Sequence, residues 1–118
     1  MEAAVKQFRK RNAILACLQG TTSHPSAEMV YEMLQKEHPD ISLATVYRNL
    51  ALLSKSGQIT HVKVPTADRF DARLDRHYHL LCTNCGRVFD APVPYHPEYD
   101  DQVSKETGFQ ISRHRMIF

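Results

Sequence analysis

Apolar residues recur at helical spacing through the first half of the chain and at strand spacing through parts of the second. In residues 1–20, Val5, Phe8, Ile14, Leu15 and Leu18 mark a stripe of helical period, and Gly20 supplies a terminator. Ser23-His24-Pro25-Ser26 opens a second helix, with Ser26 as N-cap and Glu28 in the first turn. Met29, Val30, Met33 and Leu34 form its apolar face, and Pro39 stops it. A third helix is expected from Leu43 to Ser56, with Ser42 as N-cap and Gly57 just past its end. Its buried stripe is predicted as Leu43, Val46, Leu50 and Leu53, while Thr45, Arg48, Asn49 and Lys55 fall mostly on the other side. An amphipathic rod with hydrogen-bonding groups near its N-terminal end has the shape of a recognition helix. An ordinary surface helix has the same periodicity.

The period then changes. Gln58–Val64 alternates apolar and polar, Pro65-Thr66-Ala67-Asp68 turns, and Arg69-Phe70-Asp71 returns. Helices followed by a two-stranded hairpin fit a winged helix-turn-helix, and also other small α/β folds. His77 to Leu81 alternates like a strand, Thr83-Asn84-Cys85-Gly86 turns, and Arg87 to Asp90 reads as the return strand. After a Pro-rich connection, Glu98 to Thr107 is predicted as a helix ended by Gly108. Phe109 to Ser112 then alternates as a strand, and the chain looks cut off at Phe118. The fold class is α+β.

At 118 residues the chain is one compact unit or two small ones. Its formal net charge is +2, so the placement of positive charge matters more than its total. Lys6, Arg9, Lys10 and Arg11 cluster, which by itself reads as a solvated face. No stretch is apolar and long enough to span a membrane, and no signal peptide is evident. Three cysteines, two of them in a CxxC, argue for metal binding in a reducing compartment, with the cytoplasm as the default. Cys17, inside the apolar run Ala13–Leu18, reads as core filler.

Candidate chemistry concentrates between Arg69 and Asp90. Asp71, the pair His77-x-His79, the pair Cys82-x-x-Cys85 and Asp90 fall in one short window. Residues two apart on a strand face the same side, so His77 and His79 would project together and Tyr78 the other way. Thiolates select zinc or iron–sulfur, whereas imidazole with carboxylate suits iron, manganese or zinc. Two sites are therefore expected, one structural and one regulatory or catalytic. A CxxC at a hairpin tip brings both sulfurs to one tetrahedral ion. His24, taken alone, reads as an exposed loop histidine.

Taken in order, five stretches resemble the Fur family of metalloregulators. They are His24-Pro25-Ser26-Ala27-Glu28, Ser42 to Leu50, Arg69-Phe70-Asp71, His77-Tyr78-His79-x-x-Cys82-x-x-Cys85-Gly86, and Gly108-Phe109-x-Ile111-x-x-His114. The resemblance covers nearly the whole chain. It implies a winged-helix DNA-binding domain over residues 1–68 and an α/β dimerisation and metal-binding domain over 69–118. It also implies a homodimer on palindromic operators, and a regulatory metal held by His24, Asp71, His77, His79 and Asp90. Aspartate at both carboxylate positions resembles the peroxide-sensing branch, PerR, with ferrous iron or manganese as the regulatory metal and oxidation expected at His24 or His77. An iron-, manganese- or zinc-responsive uptake regulator is the alternative within the family. The family's additional metal site is expected to be absent, since Arg76 and Tyr78 stand where it needs ligands, although His114 survives. Contacts to DNA are expected from Tyr47 and Arg48, with Thr45 near the groove and Arg11 toward phosphates. Gln7-Phe8-Arg9-Lys10-Arg11 departs from the family's usual motif there. Cys82 and Cys85 supply half of a structural zinc site, and the second CxxC that many relatives carry is lacking, which reads as truncation. Outside the family, a metalloenzyme built on the HxH and a carboxylate would need a general base and a substrate cleft. No carboxylate is singled out by spacing as that base, so the chain is read as not an enzyme. A zinc-ribbon interaction module would leave His24, Asp71 and Asp90 without a role.

Overall fold

The computed structural model describes residues 2–118, with side chains from residue 7 onward. The expectations for Val5 and Lys6 lie outside the described side chains. In chain order the elements are α1 (Glu2–Gln19), α2 (Ala27–Leu34), α3 (Leu43–Lys55), β1 (Thr60–Val62), β2 (Arg69–Asp71), β3 (His79–Leu81), β4 (Val88–Asp90) and α4 (Glu98–Thr107). The architecture is mixed α+β. Two compact units meet in sequence between Leu74 and Asp75, rather than after residue 68. The reason is pairing: β2 is hydrogen-bonded to β1, so Arg69–Asp71 belongs to the first unit.

In the first unit, α1, α2 and α3 pack around Ile14, Leu18, Val30, Leu34, Val46, Leu50 and Leu53, with Ile59 and Phe70 from the hairpin closing the core. Both predicted N-caps form. Ser26 Oγ accepts from the Met29 N–H and Ser42 Oγ from the Thr45 N–H, satisfying donors the helices cannot satisfy internally. Gly57 takes φ 79°, the left-handed conformation that ends α3. The buried stripe of α3 is rotated from the expected one. Thr45, Val46, Asn49, Leu50 and Leu53 are buried, and Leu43 is exposed. Asn49 tolerates burial because its amide donates to the Thr45 carbonyl at 2.9 Å and accepts from Arg11 Nε at 3.4 Å. Phe8 and Met33, expected on apolar faces, are exposed. α2 ends at Leu34, earlier than Pro39 alone would require; the His38 N–H bonds back to the Leu34 carbonyl at 2.9 Å and turns the chain there.

The second unit is built on the β3–β4 hairpin, with His79 opposite Asp90 and Leu81 opposite Val88. β3 starts at His79, so His77 and Tyr78 precede it. Phe109–Ser112 is not a strand. Ile111 N–H is tied to Ser104 Oγ at 3.0 Å, which folds this stretch back on α4. Extended pairing comes later, where Ile117 bridges His79 in parallel and the Leu81 N–H donates to the Phe118 carbonyl at 2.7 Å. α4 ends at Gly108, φ 77°, where the sequence places it.

Candidate functional site

Each unit carries its own group of potential metal ligands. In the first, His24 is 2 % exposed, and its Nε2 stands 3.2 Å from Asp71 Oδ2. Three features hold this pair. The Phe70 N–H donates to the Pro25 carbonyl at 3.0 Å, hooking the segment before α2 onto β2. Arg69 Nη1 donates to the His24 carbonyl at 3.4 Å. The Arg73 N–H donates to Asp71 Oδ1 at 3.0 Å, leaving Oδ2 for the imidazole. His24 itself has φ 52°, a left-handed conformation that few residues other than glycine adopt.

In the second unit, Asp90 Oδ1 lies 2.9 Å from His77 Nε2 and 3.6 Å from His79 Nε2. The two imidazole rings are 4.5 Å apart. Tyr78 is buried and contacts Tyr95 and His114, so the alternation expected of a strand holds even though only His79 is in one. The other ring nitrogen of His77, Nδ1, is 2.6 Å from the Asp75 carbonyl. That contact orients the ring through Nδ1 and turns Nε2 toward the Asp90 carboxylate, the kind of outer hydrogen bond that positions ligating histidines. Each group combines imidazole nitrogen with carboxylate oxygen, donor types that suit iron, manganese or zinc.

Cys82 and Cys85 sit on the turn after β3, closed by the Gly86 N–H bonding to the Cys82 carbonyl at 2.8 Å, with Gly86 at φ 76°. Hydrogen bonds from the Cys85 backbone and side chain hold the Cys82 thiol below the ordinary thiol range. Among the described residues, no further His, Cys, Asp or Glu joins the two thiols in a metal-holding cluster. They meet half of the four-ligand need of a structural zinc site. Cys17 is partly covered by the first unit's core, and burial pushes its thiol up. His114, the expected survivor of an additional site, is bonded to protein groups: Tyr78 Oη at 2.7 Å on Nε2 and Asp100 Oδ1 at 2.9 Å on Nδ1.

The expected DNA-contacting residues separate into two sets. Tyr47 and Arg48 are exposed on α3. Thr45 is buried, and its hydroxyl bonds Ser42 Oγ at 2.8 Å, so its side chain serves the start of the helix. Arg11 is partly covered and reaches Asn49 on α3. Sequence reasoning gave Glu28 a place in the first turn of the second helix but no partner, and the structure shows it accepting a hydrogen bond from the Tyr47 hydroxyl. Sequence reasoning assigned no role to Asp100. Both partnerships join residues far apart in the chain, and no local spacing signals them.

The sequence profile of the ferric uptake regulator family matches residues 2–118. The chain belongs to the ferric uptake regulator (Fur) family, a family of DNA-binding transcriptional regulators. Within it, the chain is 36% identical over 116 residues to the peroxide operon regulator of Bacillus subtilis, an alignment spanning 98% of this chain and 80% of that protein. It is 33% identical over 116 residues to the peroxide-responsive repressor PerR of Staphylococcus epidermidis, spanning 98% and 77%. Among solved structures it is similar to the peroxide stress regulator of Campylobacter jejuni, with TM-score 0.81, 28% identity, and coverage of 98% of this chain and 87% of that one.

Proposed function

We propose that the chain is a metal-dependent transcriptional repressor that responds to peroxide through oxidation of His24 or His77. The observation carrying this reading is the ligand inventory. His24 and Asp71 are paired in one unit, while His77, His79 and Asp90 are gathered in the other, with the His77 ring oriented by the Asp75 carbonyl. One ion bound by both groups ties the two units into a single relative orientation. In a homodimer that orientation sets the separation of the two α3 helices, which must match half-sites about one turn of DNA apart. Differential metal affinity between the two states then selects the DNA-competent one.

The first unit, three helices and a hairpin, serves as a winged helix-turn-helix on palindromic double-stranded DNA, with α3 in the major groove. Tyr47 and Arg48 face the bases, and Arg9 and Arg11 approach phosphates. The second unit serves dimerisation, for which Phe89, Val93, Val103 and Phe109 offer exposed apolar surface. The protein acts in the cytoplasm and is not an enzyme. His24, Asp71, His77, His79 and Asp90 would hold a ferrous ion, which would supply the electron for reductive cleavage of peroxide beside the His24 and His77 imidazoles that are to be oxidised. Loss of that imidazole as a donor removes the tie between the units, and the operator is released.

The test is anaerobic loading with ferrous iron, a brief peroxide pulse, and peptide mass spectrometry. One oxygen on the peptide carrying His24 or His77, absent from a manganese-loaded control, is the expected result. Iron-dependent operator binding with no added oxygen would instead assign the chain to metal-uptake regulation.

A further inference from the structure

The hydroxyl of Tyr47, exposed on α3, donates its proton to the carboxylate of Glu28 in the first turn of α2. The direction of this bond is fixed by ionisation. A carboxylate only accepts, and a phenol has one proton to give. Glu28 stays charged because the Tyr47 hydrogen bond, followed by its own backbone N–H, holds its carboxyl below the usual range. It also lies at the positive end of the α2 dipole. The same bond holds the Tyr47 phenol above its ordinary range, so the proton stays on it. With that proton committed, the remaining face of Tyr47 Oη presents lone pairs only.

We infer that Glu28 is a specificity-determining residue: it makes Tyr47 an obligate acceptor, which accepts hydrogen bonds from base edges bearing an exocyclic amine. This rests on the reading of α3 as the helix that enters the major groove. In that groove adenine offers its N6 amine and cytosine its N4 amine, whereas guanine and thymine present acceptors where the amine would be. An acceptor-only hydroxyl therefore favours adenine or cytosine on the contacted strand and is repelled by guanine O6 or thymine O4. Phosphate oxygens are acceptors too, so Tyr47 cannot serve as a phosphate anchor while Glu28 holds its proton. Turning the hydroxyl toward a phosphate would also strip the Glu28 carboxylate of its Tyr47 hydrogen bond beside a negative backbone. Glu28 touches no base in this scheme; it acts through Tyr47.

Three proteins, wild type, Glu28→Gln and Tyr47→Phe, are loaded with manganese and used to select from a randomised duplex DNA library. The individual winners are then measured by competition. The amide introduced by Glu28→Gln can accept from or donate to Tyr47, which frees the hydroxyl to donate to a base. The wild type should show a position where adenine or cytosine is preferred about fivefold over guanine or thymine, the value of one hydrogen bond. Tyr47→Phe should lose that preference at that position alone. Glu28→Gln should retain binding to the rest of the site and fall below about twofold preference there. A Glu28→Gln protein keeping the full wild-type bias, or a Tyr47-dependent position that selects guanine or thymine, would overturn the inference while leaving the repressor reading intact. Failure of the wild type to enrich any sequence would remove the repressor reading itself, and the inference with it.

Discussion

Replacing Tyr78 with phenylalanine removes one oxygen from a buried network and leaves the ring in place. That oxygen lies 2.7 Å from His114 Nε2 and receives the His96 N–H at 3.1 Å. On its other side, His114 Nδ1 faces Asp100 Oδ1 at 2.9 Å. With a carboxylate oxygen at Nδ1 and a phenol at Nε2, the imidazole donates to Asp100 and accepts the Tyr78 proton. Losing the hydroxyl therefore strands an acceptor and a donor together. A net hydrogen bond is worth about 1 kcal/mol, and an unsatisfied buried group costs about 1–3 kcal/mol. His114 is partly exposed, so water relieves some of the loss, and about 2 kcal/mol remains. The network sits beneath the segment that brings Phe118 back to β3. Its weakening should appear as local opening there. Amide exchange at Leu81 and Phe118, which bond Phe118 O and His79 O respectively, should accelerate about thirtyfold. Amides of Leu50 and Leu53 in the first unit serve as the control and should hold their rates. Exchange at Leu81 and Phe118 within about threefold of wild type would refute the reasoning, because the hydroxyl would then be contributing nothing beyond what water supplies.

Other outcomes follow from the same description. His24→Ala should abolish metal-dependent operator binding while size-exclusion chromatography still reports a dimer; unchanged metal dependence would sink the proposed tie between the units. Leu50→Ala empties a fully buried position and should lower stability by about 3 kcal/mol in urea unfolding followed by helical circular dichroism; a loss under about 1 kcal/mol would mean that the site collapses to fill the space. In metal-free protein, Cys82 should be alkylated by iodoacetamide at lower pH than Cys17, because hydrogen bonds from Cys85 lower one thiol and burial raises the other. Identical pH profiles in peptide mass spectrometry would contradict that assignment. Operator affinity should fall steeply and linearly with the logarithm of salt concentration, and a flat response would count against Arg9 and Arg11 as phosphate contacts.

Where a structural element is dictated by local chemistry, the sequence is a good guide to it. Ser26 and Ser42 cap helices because each hydroxyl oxygen meets a first-turn N–H that the helix cannot satisfy internally, and Gly57 and Gly108 end helices because the left-handed turn excludes most other residues. The crowding of imidazoles, thiolates and carboxylates between Arg69 and Asp90 was legible too, whereas the burial of His24, which alone reads as an exposed loop histidine, was not. Less legible was the rotation of α3. Thr45 and Asn49 read as surface residues by polarity, and only the hydrogen bonds from Ser42 and Arg11 and to the Thr45 carbonyl make their burial tolerable. Phe109–Ser112 alternates convincingly, yet Ser104 on the preceding helix captures the Ile111 N–H first. Arg11 bonds Asn49 from another helix, and Ser104 lies outside the alternating stretch, so periodicity carries no trace of either partner.

Among the described residues, His24 is the only residue other than glycine with a positive φ. Side chains that tolerate this backbone well are few, chiefly glycine, asparagine, aspartate and histidine. Evolution can therefore vary this position over only a short alphabet. Within that alphabet the donor that the proposed function places at position 24 can change from imidazole nitrogen to amide or carboxylate oxygen, toward the harder cations. Valine, isoleucine or threonine would strain the turn whatever they offered a metal. As lineages diverge, position 24 should drift toward oxygen donors or stay as histidine, while any move to a softer metal would have to begin at the hairpin of the second unit.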